Sequence, residues 1–232
     1  MTKKIILVWL VVSISIFGFT FDDALAVGEF RYNGQVLNTN ANWWTNLLKG
    51  YDIGYNEFKQ SYNVYSLKRP FENRYSKVLN GRSSGAIPAL VGISDKSLLP
   101  EFQLRFFFDS SSGIFAVNQY IFSTGSETAE WNFGYYQQFY ANYDFGAGST
   151  LSILLSGHGK LERILKPTDP YLKVRLYPLS GTSSAIHEFS KAERDALIDL
   201  MNLYQKISVI DYVRYNGMEK LNEYVPIKDR EY

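Results

Sequence analysis

Residues 190–216 combine a helix start signal with a long series of apolar residues, in the sequence SKAERDALIDLMNLYQKISVIDYVRYN. Ser190 and Glu193 have the spacing of a capping box, in which the serine caps the first turn and the glutamate reaches back to it. The next apolar residues recur at helical spacing: Leu197, Leu200, Met201 and Tyr204. We therefore predict a helix that begins after Ser190, and a second helical stretch through Val209 and Val213.

The chain before this helical third has the alternation and the turn residues that are typical of strands. The predicted extended runs cover residues 102–108, 114–122, 131–140, 150–155 and 172–177. An Asn-Gly pair predicts a hairpin over 30–36, short helices are predicted over 41–49 and from 161, and 56–67 fits both a helix and a strand. Because strands come first and helices later, we predict an α+β fold, with an N-terminal strand-rich mixed sheet followed by a helical part.

The first 26 residues have the pattern of a secretory signal peptide. Lys3 and Lys4 precede an uncharged apolar stretch over residues 5–21, and Ala24-Leu25-Ala26 provides small residues for cleavage. We predict a secreted protein whose residues 27–232 form a single domain with no membrane span after cleavage. An uncleaved anchor helix is the alternative, because the apolar stretch approaches the length that spans a bilayer.

The composition excludes several kinds of site. The chain has no cysteine, so it has neither a disulfide framework nor a disulfide-linked partner subunit. Its two histidines cannot supply a His/Cys metal cluster, and we expect no metal and no cofactor. The net charge is +1, so an RNA partner would need a local basic patch. Residues 160–175 carry five basic and two acidic side chains, although a solvated loop is the simpler interpretation.

The charged residues Asp211 and Arg214 lie three positions apart in the predicted helical part. Residues at this spacing share one side of a helix, so the carboxylate and the guanidinium would project together. An ordinary surface salt bridge is the simpler interpretation. The apolar neighbours Val209, Ile210 and Val213 favour a cleft instead, because so apolar a helix has little surface to offer to open solvent.

The run from Asp211 to Glu219 resembles the active-site helix of the ribosome-inactivating proteins, the family of the Shiga toxin and ricin A chains. The family pattern is Glu-Ala-x-Arg-Phe, followed three positions later by an aliphatic residue. Arg214, Tyr215 and Met218 occupy the corresponding places, and Asp211 stands where the family has glutamate.

Other stretches resemble the same family in the same order along the chain. Glu29-Phe30 resembles the start of the mature Shiga A chain, and residues 117–121 contain Tyr120 before an aliphatic residue, where the family has a tyrosine that stacks on the target adenine. Residues 155–163 resemble a Leu-Ser-Gly…Leu-Gln-Arg segment, with His158 at the second stacking tyrosine, and 184–186 fit a weaker Ala-Ile motif. The resemblance covers roughly residues 29–220.

This resemblance implies a secreted, toxin-like rRNA N-glycosylase that removes an adenine from large-subunit ribosomal RNA and blocks translation. Asp211 would stabilise the ribosyl cation or orient water, and Arg214 would face the departing base. Tyr120 and His158 would hold the adenine between them. The ribosome is then the substrate, and delivery to a target cell would need a separate, non-covalent partner.

Three departures from the family pattern define the alternatives. Aspartate replaces glutamate at Asp211, His158 replaces a tyrosine, and we find no counterpart of the family tryptophan beyond the active-site helix. A catalytically degenerate binding protein of the same fold is one alternative. Another is an unrelated secreted, aromatic-rich carbohydrate-binding module, in which exposed tryptophans would stack on sugars: Trp43, Trp44 and Trp131.

Overall fold

A computed structural model of the chain describes residues 29–38, 47–69, 84–93, 99–109, 117–132, 141–143, 148–154, 159–165, 169–178 and 184–229. The predicted signal peptide, His158, Trp43 and Trp44 lie outside these residues. Within the described ranges, no helix combines the length and the apolar content needed to cross a bilayer.

The described strands and helices give an α+β fold, as the sequence predicts. The strands are β1 (Glu29–Tyr32), β2 (Gln35–Asn38), β3 (Tyr51–Asn56), β4 (Ser61–Ser66), β5 (Ser84–Ile93), β6 (Glu101–Asp109), β7 (Val117–Ser123), β8 (Thr128–Asn132), β9 (Ala141–Tyr143), β10 (Gly148–Leu154), β11 (Lys173–Pro178) and β12 (Ala185–Glu188). The helices are α1 (Gly159–Ile164) and α2 (Lys191–Asn216), followed by 3-10 helices at Met218–Glu223 and Ile227–Asp229.

The predicted hairpin is confirmed as the pair β1–β2. Asn33 and Gly34 form its turn with φ angles of 48° and 76°. Both values are positive, as the mirror-image turns of two-residue hairpins require, and asparagine and glycine adopt them most readily.

A six-stranded sheet has the order β3-β4-β5-β6-β10-β9. Its strands β3 and β4 resolve the ambiguity over residues 56–67 in favour of extended structure. All of its described pairings are antiparallel, and so are those of the other two sheets. The expectation of a mixed sheet is therefore wrong for the described strands, because the neighbours in each sheet run in opposite directions.

A four-stranded antiparallel sheet has the order β12-β11-β7-β8. Its inner face is strongly aromatic, with the buried residues Tyr120 and Phe122 on β7 and Trp131 on β8. Phe189 follows β12 and lies 6.1 Å from Phe122 and 6.2 Å from Phe106 of the six-stranded sheet, between ring centroids. These rings form a core shared by the two sheets.

The helix α2 is continuous over 26 residues, so the prediction of two separate helical stretches is wrong. Its start is the predicted capping box, in which the backbone N–H of Ser190 donates to Glu193 Oε2 at 2.6 Å. Its end is Gly217, whose φ of 88° breaks the helical path and whose N–H donates to the Val213 carbonyl at 2.8 Å. Lys206 to Ile210 contain no glycine or proline, so nothing interrupts the backbone between the two predicted stretches.

The chain divides into two compact units. One comprises the residues up to Lys49 together with Lys206–Tyr224, and so holds β1, β2 and the second part of α2. The other comprises Gly50–Gln205 and Val225–Tyr232, and holds the six-stranded and four-stranded sheets.

Candidate functional site

The pair Asp211 and Arg214 lies in the last two turns of α2. The apolar residues around the pair are buried, with Val209, Ile210 and Val213 each at 4% exposure or less. Asp211 is half-buried and Arg214 is exposed. The helix therefore presents the carboxylate at the boundary between its buried side and solvent, and the guanidinium beyond that boundary.

The electrostatics of Asp211 are dominated by its partial burial. Burial raises the pKa of the Asp211 carboxyl, and the positive charge of Arg214 lowers it by a smaller amount. No ion pair within 4.0 Å joins the two side chains in the described structure, so the guanidinium acts at longer range. A carboxylate that is partly desolvated and incompletely paired has a free negative charge to offer to a developing cation.

The residues that complete the resemblance, at the end of α2 and in the 3-10 helix after it, face solvent. Tyr215 is 71% exposed, and Met218 is 41% exposed. Asn216 donates from its side chain to the Tyr212 carbonyl at 2.9 Å, which fixes the last turn. Arg214, Tyr215 and Met218 therefore lie on an open surface at the end of the helix.

Tyr120 has a different environment from the one its predicted role requires. It is fully buried, and its ring stacks on Trp131 with centroids 5.3 Å apart and planes at 19°. Phe122 contacts it edge-on at 5.6 Å, and burial raises the pKa of its phenol. In this arrangement Tyr120 offers no exposed ring face to a base. Trp131 is buried by the same contacts, so it does not provide a sugar-stacking surface either.

The second predicted stacking residue, His158, lies outside the described residues. The basic residues predicted between 160 and 175 are not in one loop. Lys160 and Arg163 belong to α1, Lys173 and Arg175 project from the outer face of β11, and Lys166 lies outside the described ranges.

A buried polar cluster that the sequence did not reveal joins three elements of the larger unit. Ser84 Oγ of β5 lies 2.9 Å from His187 Nδ1 of β12, and His187 Nε2 lies 3.4 Å from Glu193 Oε1 of α2. His187 and Glu193 are each only 1% exposed. The residues are more than 100 positions apart from Ser84 along the chain, so no local spacing could have indicated the cluster.

A hydroxyl, an imidazole and a carboxylate in series also occur in hydrolases, but the hydrogen bonds here favour a structural role. Glu193 Oε1 accepts the Ala86 N–H at 2.9 Å, and Oε2 accepts the N–H and hydroxyl of Ser190 at 2.6 and 2.7 Å. The ring of His187 packs edge-on against Phe106 and Phe189. With its imidazole enclosed in this way, the cluster fastens β5, β12 and α2 together.

The described residues contain no group of three or more His, Asp or Glu side chains that could hold a metal ion. Comparison with protein-family models, with curated proteins and with solved structures finds no match.

Proposed function

We propose that this protein is an N-glycosidase that removes an adenine from ribosomal RNA, with Asp211 and Arg214 as its catalytic residues. The observation that carries the proposal is the half-buried Asp211 beside the buried residues Val209, Ile210 and Val213, one turn from the exposed cation Arg214. The family resemblance of this helix, and of the other stretches that occur in the same order, supports the same reaction.

The proposed reaction breaks the bond between adenine N9 and ribose C1′. Water adds to C1′, and its proton is transferred to the leaving adenine, so adenine and an abasic ribose are the products. The transition state resembles an oxocarbenium ion, which a nearby carboxylate stabilises. Asp211 takes this role or orients the water, and Arg214 stabilises the electrons that collect on the departing base.

The test is release of adenine from intact ribosomes by the purified chain, measured by chromatography. We expect Asp211→Asn to lower the rate by about 100-fold or more, as the loss of a catalytic acid–base or electrostatic group does. Arg214→Gln should have a similar effect. Asp195→Asn, which removes a more exposed carboxylate from the same helix, is the matched control and should retain full activity.

Two outcomes would reject parts of this proposal. If the folded wild-type chain in excess releases no adenine, the reaction is wrong. If Asp211→Asn retains full activity while adenine is released, the reaction stands and the site is wrong.

The full burial of Tyr120 favours one second candidate, a protein of the same fold that binds ribosomes without catalysis. The two candidates differ in one measurement. Co-sedimentation with ribosomes but no adenine release supports the binding protein, and release supports the enzyme.

A further inference from the structure

The outer face of the four-stranded sheet carries a regular series of cationic and aromatic side chains along β11. Lys173, Arg175 and Tyr177 of β11 are spaced two apart, so they project to the same side, and Tyr171 lies two positions before the strand. Lys173 Nζ lies 5.5 Å from the centre of the Tyr171 ring, and Arg175 Nη1 lies 3.5 Å from the Tyr177 hydroxyl. We call this series the β11 stripe.

A hollow of about 170 Å³ lies in the middle of the β11 stripe. Its lining residues come from three neighbouring strands: Ile121, Ser123, Lys173, Arg175, Tyr177 and Ile186. The strand register places Arg175 between Ile121 and Ile186, so the hollow has aliphatic walls on either side of a cation. Ile186 is 47% exposed and Tyr171 is 39% exposed, although Tyr120, Phe122 and Val174 on the opposite face of the same sheet are fully buried.

Neither cation of the hollow forms an ion pair with a carboxylate within the described structure. Glu188 lies opposite Lys173 in the strand register, yet no carboxylate approaches Lys173 or Arg175 within 4.0 Å in the described residues. Glu130, the other acid on this face, accepts hydrogen bonds from Gln119 and Asn132 instead. The lining therefore contains two positive charges and no negative one, which favours an anionic ligand.

The size of the hollow and the spacing of its charges indicate which class of anion would bind there. The hollow is smaller than the roughly 300–1,000 Å³ of a typical small-molecule site, so it suits one unit of a longer chain. Residues two apart on a strand are about 7 Å apart, which is comparable with successive phosphates of an extended single strand. Aromatic rings next to cations are the usual means of holding such a strand, because every base has a flat face that can stack.

From these observations we propose that the β11 stripe binds a single-stranded nucleic acid, with successive phosphates on Lys173 and Arg175 and one base in the hollow against Tyr177. This binding does not depend on Asp211 or on the release of adenine. It gives the chain a second contact with nucleic acid, located on a sheet face of the larger unit.

The experiment measures binding of a labelled single-stranded oligouridylate of twelve nucleotides by fluorescence anisotropy at several salt concentrations. Lys173→Gln combined with Arg175→Gln should weaken binding by about tenfold, and should reduce the slope of log affinity against log salt by about 1.4, or 0.7 for each lost phosphate contact. Lys49→Gln with Lys59→Gln removes two exposed cations elsewhere and should change neither quantity.

Further probes separate the hollow from general attraction to polyanions. An abasic chain of the same length should bind about tenfold more weakly than the oligouridylate, because it has no base to stack. The oligouridylate contains no adenine, so its binding is a result that stands even if adenine release fails. Equal losses in the two double variants, equal binding of the abasic chain, or equally tight binding of an Asp/Glu-rich peptide would each overturn the proposal.

Discussion

Stability and the proposed activity require opposite ionisation states of Asp211: stability favours the neutral carboxyl, and activity needs the carboxylate. Its pKa is raised in the folded chain because burial opposes the charged form, and Arg214 offsets only part of this. A raised pKa means that its contribution to stability is greatest below the unfolded value of about 3.9 and is lost as pH rises through the folded pKa. The same ionisation produces the carboxylate that catalysis requires.

We therefore predict that, as pH rises through the titration of Asp211, the stability of the wild type falls while its activity rises. The variant should become more stable than the wild type as pH rises above about 4, because it never carries the buried charge. Wild-type adenine release should increase over the same pH range. Thermal melts and rate measurements across pH 3–8 test this, and a wild type that is more stable than the variant at pH 7 would contradict it.

Tyr120 provides a second prediction at the scale of a single residue. Its ring packs on Trp131 and Phe122 with no exposed surface, so Tyr120→Ala should destabilise the fold by about 3–5 kcal/mol, as large-to-small changes in a core do. Chemical denaturation measures this. If the variant remains as stable as the wild type and loses only adenine release, Tyr120 is a base-stacking residue and its burial is not its main role.

Among the elements, α2 begins at one buried carboxylate, Glu193, which bonds both to its own first turn and to β5. Burial is the largest influence on Glu193 and acts to raise its pKa, but the contacts with His187 and Ser190 outweigh it and the pKa is lowered. A lowered pKa means that the stabilisation is present above the unfolded value of about 4.3 and is lost as pH falls through the folded pKa.

Glu193→Gln should accordingly cost about 2 kcal/mol at pH 7, because it weakens several hydrogen bonds to a charged acceptor. Asp195→Asn is the control on the same helix, since the Asp195–Lys191 pair is largely exposed and should contribute less than about 0.5 kcal/mol. The difference between the Glu193 variant and the wild type should shrink as pH falls below about 4. If the loss of stability in Glu193→Gln did not depend on pH, the shape of the side chain and not its charge would stabilise the start of α2.

The end of α2 gives another prediction. Gly217 has a φ of 88° and a ψ of 159°, a backbone conformation that is essentially restricted to glycine, and an added Cβ would also meet the Glu219 carboxylate, so Gly217→Ala should destabilise the chain by about 1–3 kcal/mol. Gly54 in β3 has open space around its Cα and no left-handed backbone, so Gly54→Ala should be neutral or slightly stabilising. Urea titrations of both variants test this, and equal effects would contradict it.

The elements could be predicted from sequence wherever the deciding interaction is local. The Asn33-Gly34 turn and the Ser190–Glu193 cap each depend on residues within four positions, and both are confirmed. The prediction of two helical stretches is wrong because no glycine or proline interrupts α2 between them. The prediction of a mixed sheet is wrong because strand direction depends on pairing between distant segments. For the same reason the burial of Tyr120 was not foreseen, because its position on the inner sheet face is set by pairing with β8 and β11.

In the smaller of the two units of the molecule, one buried side chain, Tyr224, contacts several elements. Tyr224 contacts Tyr32 of β1 and Tyr212 of α2 edge-on, at 5.7 and 5.3 Å, and its hydroxyl donates to Ser208 Oγ at 3.0 Å. The hairpin, the second part of α2 and the 3-10 helix of this unit therefore share one buried side chain.

Two variants of Tyr224 separate the contribution of its hydrogen bond from that of its ring packing. Tyr224→Phe keeps the ring and should cost about 1 kcal/mol for the lost hydrogen bond. Tyr224→Ala should cost about 3 kcal/mol or more, and should increase amide hydrogen exchange in β1 and β2. Unchanged exchange in the hairpin of the alanine variant would show that Tyr224 does not anchor it.

The two hydrogen bonds of Glu193 also indicate which contact of the folding chain forms first. Its bond to Ser190 spans three residues, whereas its bond to the Ala86 N–H spans 107. Short loops close fast and long ones late, so the helix start can form before its bond to β5. A nascent chain that has not yet produced residue 193 cannot make this closure, so the contact with β5 stays open until synthesis reaches the C-terminal helix.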